Sequence, residues 1–121
     1  MKDDSFRDFI LDQLRDLGHV DCRNMFGGYG LYHAGVFFGI ISSGKLYLKT
    51  DPATRPEYER RGMGPFQPNA KQTLKSYYEV PVEIIEDGEW LAEWARKAVE
   101  SQVSGDEDAP DRKRVKGRRA L

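Results

Sequence analysis

Three side chains in the first third of the sequence are of types that bind metal ions or act as nucleophiles: His19, Cys22 and His33. Imidazole and thiolate groups bind Zn²⁺, and a thiol beside a histidine base can attack a substrate. Their spacing matches neither C-x-x-C nor H-E-x-x-H. Alternation places Cys22 with Val20, which favours a small buried strand residue. We therefore predict no catalytic residue, no metal ligand and no cofactor. A small enzyme or metal-binding protein with a site near these three residues is the alternative.

The glycines of the run RNMFGGYGLY, residues 23–32, are a second candidate because glycine-rich loops can bind phosphate. A dinucleotide-binding loop leads into a helix, whereas Gly28 and Gly30 are followed by residues typical of a strand. The Gly-Lys-Ser/Thr ending of a P-loop does not occur in this run. We therefore predict a bulge or bend, where glycine permits a positive φ and lets another backbone approach.

Basic side chains near the carboxyl terminus could contact nucleic acid or an acidic partner. They are Arg112, Lys113, Arg114, Lys116, Arg118 and Arg119. The sequence after Val103 is nearly devoid of apolar residues, and an acidic block precedes the basic one, so this part cannot bury enough surface to order itself. We predict a folded domain over residues 1–103 and a flexible charged tail over 104–121. The tail either binds DNA or only keeps the chain soluble.

Length and composition indicate a single soluble domain. At 121 residues, with 39% hydrophobic and 32% charged, the chain can bury roughly two-thirds of its unfolded surface. Residues 1–105 carry thirteen Lys or Arg and sixteen Asp or Glu, which argues against a broad phosphate-binding surface. Cys22 is the sole cysteine, no apolar run approaches the ~20 residues of a membrane span, and the acidic amino-terminal segment is unlike a secretory signal. We expect a cytoplasmic protein with no membrane partner.

Hydrophobic periodicity predicts helices before and after a group of strands. Predicted helices cover residues 5–17, 52–61 and 89–103, with a helical turn after Pro81. The predicted buried stripe of the last helix consists of Leu91, Trp94, Ala95, Ala98 and Val99. Predicted strands cover 20–25, 29–33, 36–41, 45–49 and 73–81. Residues 62–70 are interpreted as a loop because they hold two glycines and two prolines. Short strands joined by glycine turns are typical of an antiparallel meander, so we predict an α+β fold with an N-terminal, a middle and a C-terminal helix packed on that sheet.

Aromatic side chains would lie on both faces of this sheet. They are Tyr29, Tyr32, Phe37, Phe38, Tyr47, Tyr77 and Tyr78. A core or dimer-interface role is the simpler interpretation, since helices must cover one face and a second copy could cover the other. Aromatic rings beside Arg23 or the lysines could instead stack on single-stranded bases.

Two stretches of the sequence carry a family resemblance. The run RNMFGGYGLYHAGVFFGIISSGKLYLKTD and the later SYYEVPVEIIEDGEWLAEWARKA resemble, in this order, the amino-terminal domain of the TfoX/Sxy family over about residues 5–103. The resemblance implies an α+β domain with a curved antiparallel sheet, and it implies no catalytic residue. It also implies that the signature positions are Met25, Phe26, Gly27 and Gly28.

The resemblance implies a function as well, because the family is associated with regulation of competence genes in bacteria. Full-length members usually carry a second, helical domain, whereas only the basic tail follows Val103 here. We therefore predict a non-enzymatic regulatory or protein-interaction module. Its expected partners are a protein or a second copy of the chain, with DNA contacted through the tail as an alternative.

Overall fold

The computed structural model describes residues 4–25 and 27–104, and its centre is a six-stranded antiparallel sheet. The strands are β1 (Asp21–Met25), β2 (Gly28–His33), β3 (Val36–Ser42), β4 (Lys45–Lys49), β5 (Pro65–Asn69) and β6 (Gln72–Glu79). The helices are α1 (Asp4–Gln13), α2 (Arg55–Arg60), α3 (Val82–Ile85) and α4 (Gly88–Ser104). This arrangement confirms the predicted α+β class and the three helices flanking or interrupting the strands.

The first four strands form the meander, because tight turns join each strand to the next. Ala34 and Ser43 occupy these turns with φ of 52° and 54°, and a glycine with positive φ follows each of them. Consecutive residues with positive φ match the twist of a two-residue hairpin. The chain then passes through α2 and returns as β5 and β6, giving the strand order β1-β2-β3-β4-β6-β5. β1 and β5 are therefore the edges of the sheet.

One face of the sheet forms the main core with the helices. The strand residues Leu31, Phe38, Ile41, Leu46 and Leu48 are fully buried there. Most of the predicted stripe of α4 packs against them; its buried residues are Leu91, Ala92, Trp94, Ala95, Ala98 and Ser101, with Val99 partly buried. This burial is the main source of stability, since each fully buried large side chain contributes about 1.5–3 kcal/mol.

A second, smaller cluster lies on the opposite face of the sheet. Ile40, Phe66 and Tyr77 are buried in it, and Phe37 and Tyr47 are partly buried against them. Neighbouring Ile40 and Ile41 therefore belong to different clusters, as expected when successive side chains of a strand point to opposite faces.

The prediction of a loop over residues 62–70 is wrong, because this segment contains β5. The strand pairs with β6 from Pro65 opposite Tyr78 to Asn69 opposite Gln72, with register shifts between these ends. Proline lacks a backbone N–H and is excluded from central strands, but an edge strand has a free side and tolerates it. The prolines therefore marked an edge strand, which local sequence cannot distinguish from a loop.

Two helices are shorter than predicted. The first ends at Gln13 instead of residue 17 and continues as turns, in which the Leu17 N–H donates to the Leu14 carbonyl at 2.8 Å. The second begins at Arg55 instead of residue 52, after a turn ordered by Asp51. In the described part of the chain, no helix has the length and apolarity needed to cross a membrane.

Candidate functional site

His19, Cys22 and His33 do not converge on a common point. The Nδ1 of His33 lies 2.8 Å from the His19 carbonyl oxygen and must donate to it, because a carbonyl only accepts. The Nε2 of exposed His19 lies 2.8 Å from the Asp21 carboxylate. Cys22 pairs with Leu31 and packs against the main core instead. The geometry gives the alternative of an enzyme or metal site at these residues no support.

The environment of Cys22 also disfavours thiolate chemistry. Burial raises the pKa of its thiol, and the nearby Arg7 opposes this only in part. A reactive cysteine needs the opposite shift, since the thiolate is the nucleophile. Among residues 4–25 and 27–104, no group of three or more His, Cys, Asp or Glu side chains is placed to hold a metal ion.

The paired glycines lie where β1 turns into β2, and each has a different physical role. Gly27 has a φ of 76° and open space where a side chain would be. Gly28 does not have a positive φ, but a Cβ built on it would lie 1.9 Å from the Ile41 carbonyl oxygen. A strand follows them, so these glycines do not lead into a helix as those of a dinucleotide-binding loop do. Met25 pairs with Gly28 at the end of the hairpin, while Phe26 lies outside the described residues.

The basic side chains predicted to contact nucleic acid also lie outside the described residues. They are Arg112, Lys113, Arg114, Lys116, Arg118 and Arg119.

The aromatic residues of the sheet are mostly engaged with one another. On the face away from the main core, ring centres are 5.2 Å apart for Tyr32 and Phe37 and 5.3 Å apart for Phe37 and Tyr77. The Arg23 guanidinium lies 4.5 Å from the Tyr32 ring centre, a cation–π distance. Tyr77 is buried, which raises the pKa of its hydroxyl. This row offers little free ring surface for base stacking, and it fits the structural interpretation better.

A more open site lies between α2 and α4, and we call it the α2–α4 cleft. Its volume is about 450 Å³. The lining residues are Lys49, Ala53, Thr54, Pro56, Glu57, Tyr58, Arg60, Trp90, Trp94 and Lys97. Trp90, Trp94 and Lys97 project from one stripe of α4, because residues four and seven positions apart share a helix face. Trp90 is 41% exposed and Trp94 is 8% exposed, so one indole is available to a ligand and the other belongs to the wall.

Aromatic rings and charged groups contact one another in the wall of the cleft. The Tyr58 and Trp94 ring centres are 4.6 Å apart, and burial raises the pKa of the Tyr58 hydroxyl. The Arg61 guanidinium lies 5.2 Å from the Trp90 ring centre and 5.7 Å from that of Trp94. Arg61 also donates to Glu57 and to Glu83, each at 2.8 Å. Arg61 therefore connects the exposed indole of Trp90 to Glu57 of α2 and to Glu83 of α3.

The charge lining the cleft is mainly positive. Arg60 and Lys97 contribute exposed cations, and Glu57 is the single acid of the lining. Lys49 is only 2% exposed, and its ammonium lies 5.9 Å from the ring centre of Tyr77. Glu57 already pairs with Arg60 and Arg61, and hydrogen bonds from these residues, Arg61 first, lower the pKa of its carboxyl group. Within the described residues the Lys97 ammonium has no ion-pair partner. A basic cleft therefore lies on a folded part that is net acidic.

Asp51 fixes the position of α2 relative to α4. Its Oδ1 accepts hydrogen bonds from the backbone N–H groups of Ala53 and Thr54, both at 2.9 Å, which orders the turn before α2. Its Oδ2 accepts from the Ser101 hydroxyl of α4 at 2.7 Å. Burial opposes ionisation of Asp51 most strongly, but the hydrogen bonds from Ser101, Thr54 and Ala53 together outweigh it and lower its pKa.

We expect Asp51→Ala to lower the free energy of unfolding by about 1–3 kcal/mol at neutral pH, because three hydrogen bonds to a charged group are lost. Because the pKa of Asp51 is lower in the folded state, the ionised carboxylate stabilises the fold at pH values above the ordinary pKa of 3.8. This stabilisation disappears as the pH falls below that value. Urea unfolding of both proteins between pH 7 and pH 3 measures the difference, which should shrink below about pH 4. Asp12→Ala, which removes only an exposed pair with Arg15, serves as the control. A difference that is independent of pH would contradict the assigned role of the carboxylate.

Sequence reasoning missed this cleft. It placed Trp94 correctly in the buried stripe of the last helix but singled out neither Trp90 nor Lys97. The available signal was a second tryptophan one helical turn before Trp94, at the edge of the apolar stripe, where full burial is not expected. The contribution of α2 could not be read locally, because Arg60 and Trp90 are thirty positions apart.

The fold and the site together define a small α+β domain that presents a basic, aromatic cleft and no recognisable catalytic group in its described part. The TfoX N-terminal domain model matches residues 12–102, so the chain belongs to this family. It is 34% identical over 80 residues to the DNA transformation protein TfoX of Haemophilus influenzae, and the matched segment covers 63% of this chain and 36% of that protein. It is 29% identical over 69 residues to the DNA transformation protein TfoX1 of Aliivibrio fischeri, and this match covers 55% of the chain and 33% of that protein. The chain thus matches about a third of the length of these relatives.

Proposed function

We propose that this domain is a non-enzymatic regulatory module that acts in the cytoplasm by binding another protein. The observation that carries the proposal is the α2–α4 cleft, which the exposed indole of Trp90 and the side chain of Lys97 both line. The names of the relatives, which refer to DNA transformation, support a role in regulating competence.

The chemistry of the cleft defines the partner. Tryptophan and arginine are frequent anchors of protein interfaces, since they bury much area and form directed contacts. Lys97 and Arg60 favour carboxylates, and Trp90 favours an adjacent apolar side chain. The partner segment is therefore expected to carry Asp or Glu beside an aliphatic or aromatic residue. The local positive charge should accelerate association with this segment, and added salt should weaken the binding.

Photo-crosslinking in the native cell tests this proposal. A photoreactive phenylalanine derivative, which keeps an aromatic ring in place of the indole, replaces Trp90 in one protein and Lys71, in the β5–β6 turn, in the other. We expect a crosslinked species of higher mass from position 90 only. Lys97→Glu should reduce its yield about tenfold, the effect of losing one interfacial charge pair. The matched change Lys75→Glu, at an exposed position of β6, should leave the yield unchanged.

Two results would count against the proposal. Equal crosslinking from positions 90 and 71 would mean that the cleft is not a preferred contact. A yield that Lys97→Glu and Lys75→Glu reduce equally would mean that overall charge, rather than the cleft, governs binding.

A further inference from the structure

We propose that the open edge of the sheet at β1 is a docking surface for a second copy of this chain, whose β1 pairs with it as an antiparallel strand centred on Cys22. Within the described residues, β1 pairs with β2 alone. The backbone N–H and C=O groups on its outer side can therefore accept an additional strand. No residue of β1 lines the α2–α4 cleft, so this inference does not depend on the proposed function.

The two edges of the sheet differ in how well they are protected against such pairing. β5 contains Pro65 and Pro68, which lack an N–H, and its pairing with β6 has register shifts. Edge prolines and irregular pairing are common devices that prevent the addition of a strand. β1 has no proline and pairs with β2 in one continuous register over all five of its residues. The edge at β1 thus keeps the regular geometry that a further strand needs.

Charge complementarity selects the second copy as the occupant and fixes the register. Asp21 and Arg23 are both exposed and lie on the same face of the sheet, because they are two positions apart in one strand. In a symmetric antiparallel pair centred on Cys22, Asp21 of each copy lies directly opposite Arg23 of the other. Two ion pairs form in this register, whereas a pair centred on Asp21 or on Arg23 would place like charges opposite each other.

The existing contacts of these two side chains are compatible with this pairing. The Oδ1 of Asp21 lies 2.8 Å from the Nε2 of His19, and a carboxylate has a second oxygen that can accept from an arginine. The Arg23 guanidinium lies over the Tyr32 ring and has no ion-pair partner in the described part of the chain. Each copy therefore offers a cation and an anion for the contact.

The opposite face of the strand also tolerates the second copy. There Cys22 would face its own counterpart, and Val20 would lie opposite Asn24. Cys22 and Val20 already pack against the main core, so they present little polar surface. The neighbouring Arg7 and Asp8 of α1 carry opposite charges and pair with each other at 3.0 Å. The helices of two copies would therefore meet without net repulsion at this point.

Sedimentation velocity of the full chain at increasing concentration tests this surface. We expect the unmodified chain to shift from monomer to dimer. Asp21→Arg and Arg23→Asp should each raise the dissociation constant of the dimer about tenfold or more, because like charges then lie opposite each other at both positions. An equimolar mixture of these two variants should regain the original affinity, and so should a chain carrying both substitutions.

The controls carry the same changes of net charge elsewhere. Glu93→Arg and Arg96→Asp alter an exposed ion pair of α4 and should leave the dissociation constant unchanged. Circular dichroism establishes that each variant is folded. Amide hydrogen exchange of the unmodified chain locates the contact without any substitution. In the dimer, exchange should slow about tenfold within residues 20–24 and stay unchanged within residues 65–69 of β5.

Three results would overturn the inference. The first is a chain that remains monomeric at about 1 mM. The second is a dimer in which the slowed amides lie outside β1. The third is a dimer that the substitutions at Asp21 and Arg23 weaken no more than those at Glu93 and Arg96, or that the mixture of variants does not restore. None of these results affects the α2–α4 cleft, which the crosslinking at position 90 tests separately.

Discussion

Gly28→Ala should lower the free energy of unfolding by about 3 kcal/mol or more, although it adds a single methyl group. The added Cβ would lie 1.9 Å from the Ile41 carbonyl oxygen and 2.9 Å from its carbonyl carbon. Both are backbone atoms, so no side-chain rotation can relieve the overlap. β2 and β3 would have to separate at the start of their pairing, and overpacking at a site that cannot relax has large costs.

Gly27→Ala is the matched control, because the same methyl group is added one residue earlier. That position has open space but a φ of 76°, so the expected loss is only about 1 kcal/mol, the cost of a left-handed conformation. Urea unfolding followed by circular dichroism measures both proteins. If Gly27→Ala costs as much as Gly28→Ala, backbone conformation rather than close approach dominates at this turn.

This pair of glycines illustrates what the sequence revealed and what it did not. The glycine pair predicted a bend that combines positive φ with a close backbone approach. The structure divides these roles, giving the conformation to Gly27 and the approach to Gly28. The second role depends on a carbonyl group thirteen residues away, so only the tertiary structure reveals it.

In the sheet, too, local sequence predicted some strands, whereas others depend on tertiary pairing. Alternation predicted the strands of the meander, because each has one face in the main core. A bulge at Phe38 interrupts this alternation in β3, since Leu31 pairs with Gly39 and Tyr32 with Phe37, which leaves Phe38 as an extra residue. Phe38 therefore lies in the main core, whereas Ile40, two positions later, belongs to the second cluster. β5 carries Pro65 and Pro68 and has no such alternation, so it was predicted as a loop. Its pairing with β6 is a tertiary property.

The candidate site was the least predictable part, because it is assembled from distant segments. His19, Cys22 and His33 are close in sequence and drew attention for that reason, yet their side chains have separate partners. The α2–α4 cleft is lined instead by residues from Lys49 to Lys97. Sequence reasoning evaluated Trp94 only as a core residue, which is half of its role.

Trp94→Ala should lower the free energy of unfolding by about 3–5 kcal/mol, as expected for removal of a buried indole. Trp94 is 8% exposed, belongs to the main core and lies with its ring centre 4.6 Å from that of Tyr58. Its loss would leave a void between α2 and α4 and remove one of the two rings beside Arg61. Urea unfolding followed by circular dichroism is the appropriate measurement, because tryptophan fluorescence itself changes in the variant.

Trp90→Ala is the comparison that separates stability from binding. The same ring is removed one helical turn earlier, but Trp90 is 41% exposed, so we expect a loss of no more than about 1 kcal/mol. A stable Trp90→Ala protein that no longer binds its partner would assign that ring to recognition, while Trp94 supports the wall behind it. Equal destabilisation by the two substitutions would mean that both rings serve the core, and the cleft would then lack the exposed anchor on which the proposed function depends.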